Sequence, residues 1–421
     1  MAQGTLHTMR TLLSPTPTRR ARSGVFSAAR LTFVALALGC GGAAPPPTAS
    51  SGEPADPSAR EPGAEELGPP RVYASGHAGP VLDASFSPDQ RTLVTAGADG
   101  TARIWELATG EARAEVFEHG AAVTTVRFSP DGRTLATAAA DGAIRLWSVR
   151  GGQLRAELPD QTGRLQADSF SPDSSALVTG GADGVASIWD TTTGGLRRTL
   201  ERHEDVITSA TFSRDGQRVL TSSLDGSAKV WEARTGVLRV SAEGHPRGLV
   251  LAALSPDGRR LVSASTDGSA KVWEAETGRV STSLVGHEGA LVAAAFNPFG
   301  PSVMTAGVDG TARIWDPRDG TLRALLEGHE GPLATARYNR QGSALVTASR
   351  DGSARVWDSA TGELRVALLA HTGPVHSAAF SPDGELVVTS GEDGSVHVVS
   401  AHTGAARVTF TGAAVPDATQ D

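Results

Sequence analysis

The sequence predicts an all-β fold assembled from eight equal units of four short antiparallel strands, and three observations carry that expectation. Seven tryptophans, Trp105, Trp147, Trp189, Trp231, Trp273, Trp315 and Trp357, stand 42 residues apart and are all the tryptophans of the chain. The same ruler finds Asp-Gly eight times, at Asp99, Asp141, Asp183, Asp225, Asp267, Asp309, Asp351 and Asp393, with no insertion between units. Within each unit, runs of β-branched and apolar residues alternate with turn residues. A fixed period of this kind marks a structure that grows by adding units rather than by enlarging one core.

In chain order, the first unit reads Pro80-Val-Leu-Asp-Ala-Ser-Phe-Ser87, the turn Pro88-Asp89, then Thr92-Leu-Val-Thr-Ala96, Asp99-Gly100, Ala102-Arg-Ile-Trp105 and Thr109-Gly110. Proline second and glycine fourth in Ser129-Pro-Asp-Gly132 suit a type I turn. The Thr-Gly pairs beginning at 109, 193, 235, 277, 361 and 403 supply the positive φ of a tight hairpin.

The order His77, Thr95, Asp99, Trp105 resembles the WD-repeat family, whose four-stranded antiparallel blades pack radially into a β-propeller. The resemblance covers residues 71–410 and implies an eight-bladed propeller. It also implies a hydrogen-bonded chain in each blade, from indole N–H to hydroxyl to imidazole to carboxylate. Carried over, blade one uses His77, Thr95, Asp99 and Trp105, blade two His119, Thr137, Asp141 and Trp147, and blade four His203, Thr221, Asp225 and Trp231. Blade five has His245, Ser263, Asp267 and Trp273, and blade six His287, Thr305, Asp309 and Trp315. Blade seven has His329, Thr347, Asp351 and Trp357. Two blades depart: Gln161 replaces the histidine of blade three, and Val399 the tryptophan of blade eight, where His371, Thr389 and Asp393 remain. These two blades are expected to be the softest.

Nine segments match the outer strand of a blade, and eight blades hold eight. Propellers of this family usually close when the N-terminal strand completes the last blade. That habit favours residues 71–75 for the role and leaves 407–410 as an appendage, although 407–410 keeps the register equally well.

The first seventy residues are different in kind. Arg10, Arg19, Arg20, Arg22 and Arg30, with no acidic residue among them, lead into the apolar run 31–38. That order is similar to a secretory signal peptide. Ala37-Leu-Gly-Cys40 resembles the lipobox of bacterial lipoproteins, and the resemblance implies that Cys40, the only cysteine, is diacylated and becomes the mature N-terminus. Residues 1–39 then form the leader; translation from Met9 would shorten its charged segment. Residues 40–70, rich in Pro, Ala, Gly and Glu, form a flexible tether with too few large apolar side chains to offset the entropy of ordering. Residues 411–421 are expected to be a disordered tail.

Composition excludes several classes of function. The formal net charge is −8 and the cations are dispersed along the chain, unlike the basic face of a nucleic-acid binder. One cysteine excludes an internal disulfide and a cysteine-rich metal site. Seven of the eleven histidines are repeat histidines, and each Asp-Gly is followed by a strand rather than by further carboxylates, unlike a calcium loop. No phosphate loop, nucleophile elbow or zinc-protease motif is present. No catalytic residue, cofactor or metal is therefore expected. The basic residue two places before most of the tryptophans, as in Arg103, Arg145, Lys229, Lys271, Arg313 and Arg355, recurs too regularly to be a binding patch.

Specificity must then lie where the repeats differ. By resemblance to the family, partners dock on residues three and five after the repeat histidine and one before the repeat aspartate. Leu82, Val206, Leu224, Val250, Val292 and Val308 there give an apolar set, and Arg350, His376 and Glu392 give polar anchors. The expectation is a monomeric protein- or peptide-binding scaffold, exported and lipid-anchored in the cell envelope. Its rivals are a propeller enzyme, a lyase or hydrolase working in the central channel, for which the sequence offers no polar channel lining, and a cytosolic regulatory scaffold.

Overall fold

The structure is a computed structural model that describes residues 71–74, 76–158, 169–369 and 371–412. The leader with Cys40, the tether, Gln161 and the tail from residue 413 lie outside the described residues.

After a short strand β1 (Arg71–Ala74), blade one runs from the inner strand β2 (Val81–Phe86) through β3 (Thr92–Gly97) and β4 (Thr101–Glu106) to the outer strand β5 (Ala112–Glu118). Each strand is antiparallel to the last. This meander recurs along the chain, beginning again at β6 (Val123–Phe128), and yields an eight-bladed β-propeller. The described part of blade three holds three strands, β10 (Ala176–Gly180), β11 (Val185–Asp190) and β12 (Leu196–Glu201). Among the described residues the meander places the His and Asp-Gly loops on one face, here called upper, and the turns between first and second strands and the Thr-Gly turns on the lower face.

Local turn chemistry explains why the period tolerates no insertion. Gly100 has φ +81°, and a Cβ there would lie 2.9 Å from the His119 carbonyl oxygen in the next blade's loop, so the position demands glycine for two reasons. Gly110, at φ +70°, closes the β4–β5 hairpin as the sequence leads one to expect.

The core is divided into layers between blades, and the repeat tryptophans are their largest members. Trp147 of blade two packs with Val94, Ile104 and Phe117 of blade one, its ring 5.1 Å from that of Phe117. Trp231 likewise packs on Val178, Ile188 and Leu200 of blade three. Each indole thus removes apolar surface of two blades from water, the main source of cohesion in a ring of otherwise thin sheets. Val399 takes this place in blade eight, buried against Val346, Val356 and Leu368 with less area to contribute.

Ring closure corrects the sequence expectation. Blade eight is completed by its own C-terminal strand: β29 (Val375–Phe380), β30 (Leu386–Gly391), β31 (Val396–Ser400) and β32 (Ala406–Thr411) form a regular meander. β1 adds outside β32 as a fifth, parallel strand, pairing Arg71 with Val408 through Ala74 with Thr411. The reason is local: β32 is joined to β31 by the short Thr403-Gly404 turn, Gly404 at φ +71°, so its pairing costs little loop entropy. β1 takes the edge that is left. Tyr73 then sits over Gly110 and against Phe410, bridging blades eight and one. The seam is sealed further where Ser377 donates to Asp83 at 2.9 Å, and Asp83 pairs with Arg127 of blade two.

Amide exchange checks the consequence of the missing indole. Residues 389–400 are expected to exchange faster than their counterparts 347–358 in blade seven, and equal protection would show that Val399 and the fifth strand compensate fully.

Candidate functional site

The upper face is built on the tetrads. In blade four the Trp231 indole N–H donates to Thr221 Oγ1 at 2.9 Å, Thr221 lies 2.7 Å from His203 Nε2, and His203 Nδ1 lies 2.8 Å from Asp225. An Asp carboxylate can only accept, so Nδ1 carries the proton. The Thr221 hydroxyl then donates to Nε2 while accepting from the indole, and every group is satisfied with a neutral ring. Burial pushes the His203 pKa down, which outweighs the opposing pull of Asp225 and keeps the ring neutral. The same contacts join the tetrads of blade one (Trp105, Thr95, His77, Asp99) and blade five (Trp273, Ser263, His245, Asp267). They also join those of blade six (Trp315, Thr305, His287, Asp309) and blade seven (Trp357, Thr347, His329, Asp351). Blade eight keeps His371 on Thr389 and Asp393 without an indole.

Blade two does not follow the expected chain. Trp147 and Thr137 pair at 2.8 Å and His119 reaches Thr137 at 2.6 Å, but Arg145, not Asp141, meets His119 Nδ1. A guanidinium can only donate, so the tautomer reverses and Nε2–H donates to Thr137. Burial, aided by the Arg145 charge, pushes His119 down to about 4.

A hydroxyl missed in the sequence reading explains the difference. The residue after Asp-Gly is Thr101, Ser227, Ser269, Thr311, Ser353 or Ser395 in six blades, and its hydroxyl donates to the repeat aspartate at 2.6–3.0 Å. Blade two has Ala143 there, and Asp141 caps only the Ala143 N–H. The recurring Asp-Gly-Ser/Thr was the available signal.

The divergent residues meet the channel through a β-bulge. Register shifts between Leu249 and Leu251, Leu291 and Ala293, and Val375 and Ser377 turn Val250, Val292 and His376 out of the ladder. These three, with Ala334, line one cavity of about 370 Å³ between the inner strands. On the upper face, Leu224 (43% exposed) lies over Gly248 of the next blade, and Val308 (39% exposed) over Gly289 of its own blade. His376 pairs with the exposed Glu392 at 2.7 Å, and Arg350 is exposed on the same face. Val206 is half-buried, and its carbonyl accepts the Leu224 N–H. Leu82 is half-buried and lies outside this cavity.

The family model for the WD domain, G-beta repeat, matches residues 69–106, 111–148, 165–190, 194–232, 236–274, 278–316, 320–358 and 362–400. The chain belongs to the WD-repeat family. Propellers of this family are typically non-catalytic protein-interaction scaffolds. The chain is also similar to a solved structure, the crystal structure of the computationally designed Ika8 protein, at 29% identity and a TM-score of 0.69. That match covers 79% of this chain and 100% of the designed one.

In this WD-repeat channel the lining is more polar than the sequence reading held. Arg127, Thr208, Thr211, Thr335, Arg337 and Ser377 share the cavity with the valines. The bulge is again the reason, since it changes which residues of the inner strand face the axis. Asp83, buried on the first inner strand beside these residues, is held by Arg127 and Ser377. Of the remaining blade-eight histidines, His397 lies between Ser395 and Thr409 with its ring 4.7 Å from that of His371, and His402 reaches Glu385.

Replacing Thr221 by valine strands the indole N–H of Trp231 and the His203 ring together and should cost about 2–4 kcal/mol in urea unfolding. All the repeat histidines with a lowered pKa contribute to the pH dependence in the same direction, and His119 is lowered furthest. Its folded pKa lies below the ordinary histidine value of about 6.5, so its contribution is complete above that value and is lost as pH falls toward about 4. Urea midpoints should decline across that window, and less steeply in Arg145→Met.

Proposed function

We propose that this WD-repeat protein is a non-catalytic interaction scaffold, lipid-anchored through Cys40 in the bacterial cell envelope, whose upper face holds a peptide segment of a protein partner. One observation carries the proposal. In a frame whose structural residues repeat, the residues that do not repeat converge: Val250, Val292, Ala334 and His376 share one cavity, and Leu224 and Val308 are exposed on the same face. Exposed apolar side chains ringed by charge are the composition of a docking patch. An apolar residue of the partner would enter the cavity, and Arg350 and the His376–Glu392 pair would set its direction. The anchor rests on the position of the only cysteine directly behind the only signal-like apolar run.

The double variant Val250→Asp, Val292→Asp tests the face. It is expected to abolish partner recovery from envelope extracts while the melting temperature stays within a few degrees, and retained recovery would place the site elsewhere. Intact mass of the protein from a membrane fraction tests the anchor: a chain beginning at Cys40 with added acyl mass is expected, and an unprocessed soluble chain would discard it.

A further inference from the structure

The lower face carries the eight turns between first and second strands, and repetition makes their template plain. Blades one, two, three, five and eight read Ser-Pro-Asp, with the serine hydroxyl donating to Asp89, Asp131, Asp173, Asp257 or Asp383 at 2.5–2.6 Å. Blades four, six and seven break this template. Arg214 and Arg340 stand in place of proline, and Phe299 and Gln341 in place of aspartate. Blade four keeps Asp215 and the intervening blade five keeps Asp257, but two added cations and two lost anions still shift blades four to seven by four charges relative to the template.

The turns themselves are preserved by a compensating change. Asn297 and Asn339 replace the serine. Asn297 Oδ1 accepts the N–H of Phe299 at 2.9 Å and of Gly300 at 2.7 Å, and Asn339 Oδ1 accepts those of Ser343 and Ala344. Holding the turn from its first residue releases the third from structural duty, and blade six uses the freedom to display an aromatic. Phe299 is 72% exposed and is framed by Pro298 and Pro301, which restrict its backbone. The substituted residues form one surface. The Arg214 guanidinium lies 5.8 Å from the Phe299 ring centre, and Asn297 Nδ2 donates to Gly342 O at 2.7 Å, joining the turn that carries Arg340. Arg214 and Arg340 are both exposed.

We infer that this arc is a second docking surface, for an acidic peptide segment of a protein partner, on the face opposite the first. Carboxylates would meet Arg214 and Arg340, and an apolar side chain would pack on Phe299, beside a cavity of about 450 Å³ between blades six and seven. A flat anionic bilayer fits poorly, because the same rim keeps Asp89, Asp131, Asp173, Asp215, Asp257 and Asp383. A narrow ligand that runs from Arg340 over Phe299 to Arg214 meets fewer of them, and Asp215 beside Arg214 is already engaged by Ser213 and the Gln217 N–H. With both faces in use, the propeller would join two partners.

The test uses the full chain and a fluorescent dodecapeptide alternating glutamate with leucine, a twin with glutamine for glutamate, and phosphatidylglycerol vesicles. The glutamate peptide is expected to bind at least about tenfold more tightly than its twin, and more weakly as salt rises. Restoring the template with Arg214→Pro, Phe299→Asp and Arg340→Pro should weaken binding by about tenfold or more. Val250→Asp should leave it unchanged, which separates this surface from the upper one. Should the triple variant unfold, Arg214→Gln with Arg340→Gln, which keeps the turns, is read in its place. No binding, equal binding of the two peptides, unchanged binding by the variants, or capture of the vesicles in preference to the peptide would each overturn the inference.

Discussion

An indole between two sheets must find a partner for its N–H where no water reaches, and the rest of this propeller is arranged around that need. The tryptophan contributes the largest apolar body in seven of the eight layers between blades, and in the complete tetrads its N–H binds the blade to a hydroxyl, an imidazole and a carboxylate in turn. Four positions far apart in the repeat are thereby held in one register. The spacing from histidine to tryptophan within a unit is tied to a set of buried bonds.

The same economy explains how departures are tolerated. Blade two lacks the hydroxyl after Asp-Gly, and Arg145 takes over the imidazole nitrogen, reversing the tautomer while the indole stays satisfied. Blade eight lacks the indole, and the valine in its place still packs between blades, while a fifth strand and Tyr73 reinforce the seam. Blades six and seven lose the turn aspartate and regain the turn through asparagine. In blades two, six and seven a structural bond is kept by a different donor or acceptor, and a side chain is released.

Those released side chains bear on function. On the upper face the framework residues are buried or bonded to one another, so recognition falls to the residues that differ between repeats. The bulge at the head of each inner strand brings Val250, Val292 and His376 to the channel, where an apolar wall faces a polar one. On the lower face the same reasoning selects Phe299 and its neighbouring arginines.

The strands, the turns and the members of most tetrads were legible in the sequence because they are local: period, turn residue and residue type suffice to name them. The bridging hydroxyl after Asp-Gly was equally local, recurring as Ser or Thr in six blades. By itself the sequence determined the eight blades, their order and the polar atoms each must satisfy. Only the tertiary structure decided that β32 completes blade eight with β1 outside it, that His119 turns to Arg145, and that the channel is half polar. The physical reason is common to all three. Each depends on two candidates competing for one place in space, for an edge, a ring nitrogen or a side of a bulged strand, and a linear pattern carries no measure of which lies closer.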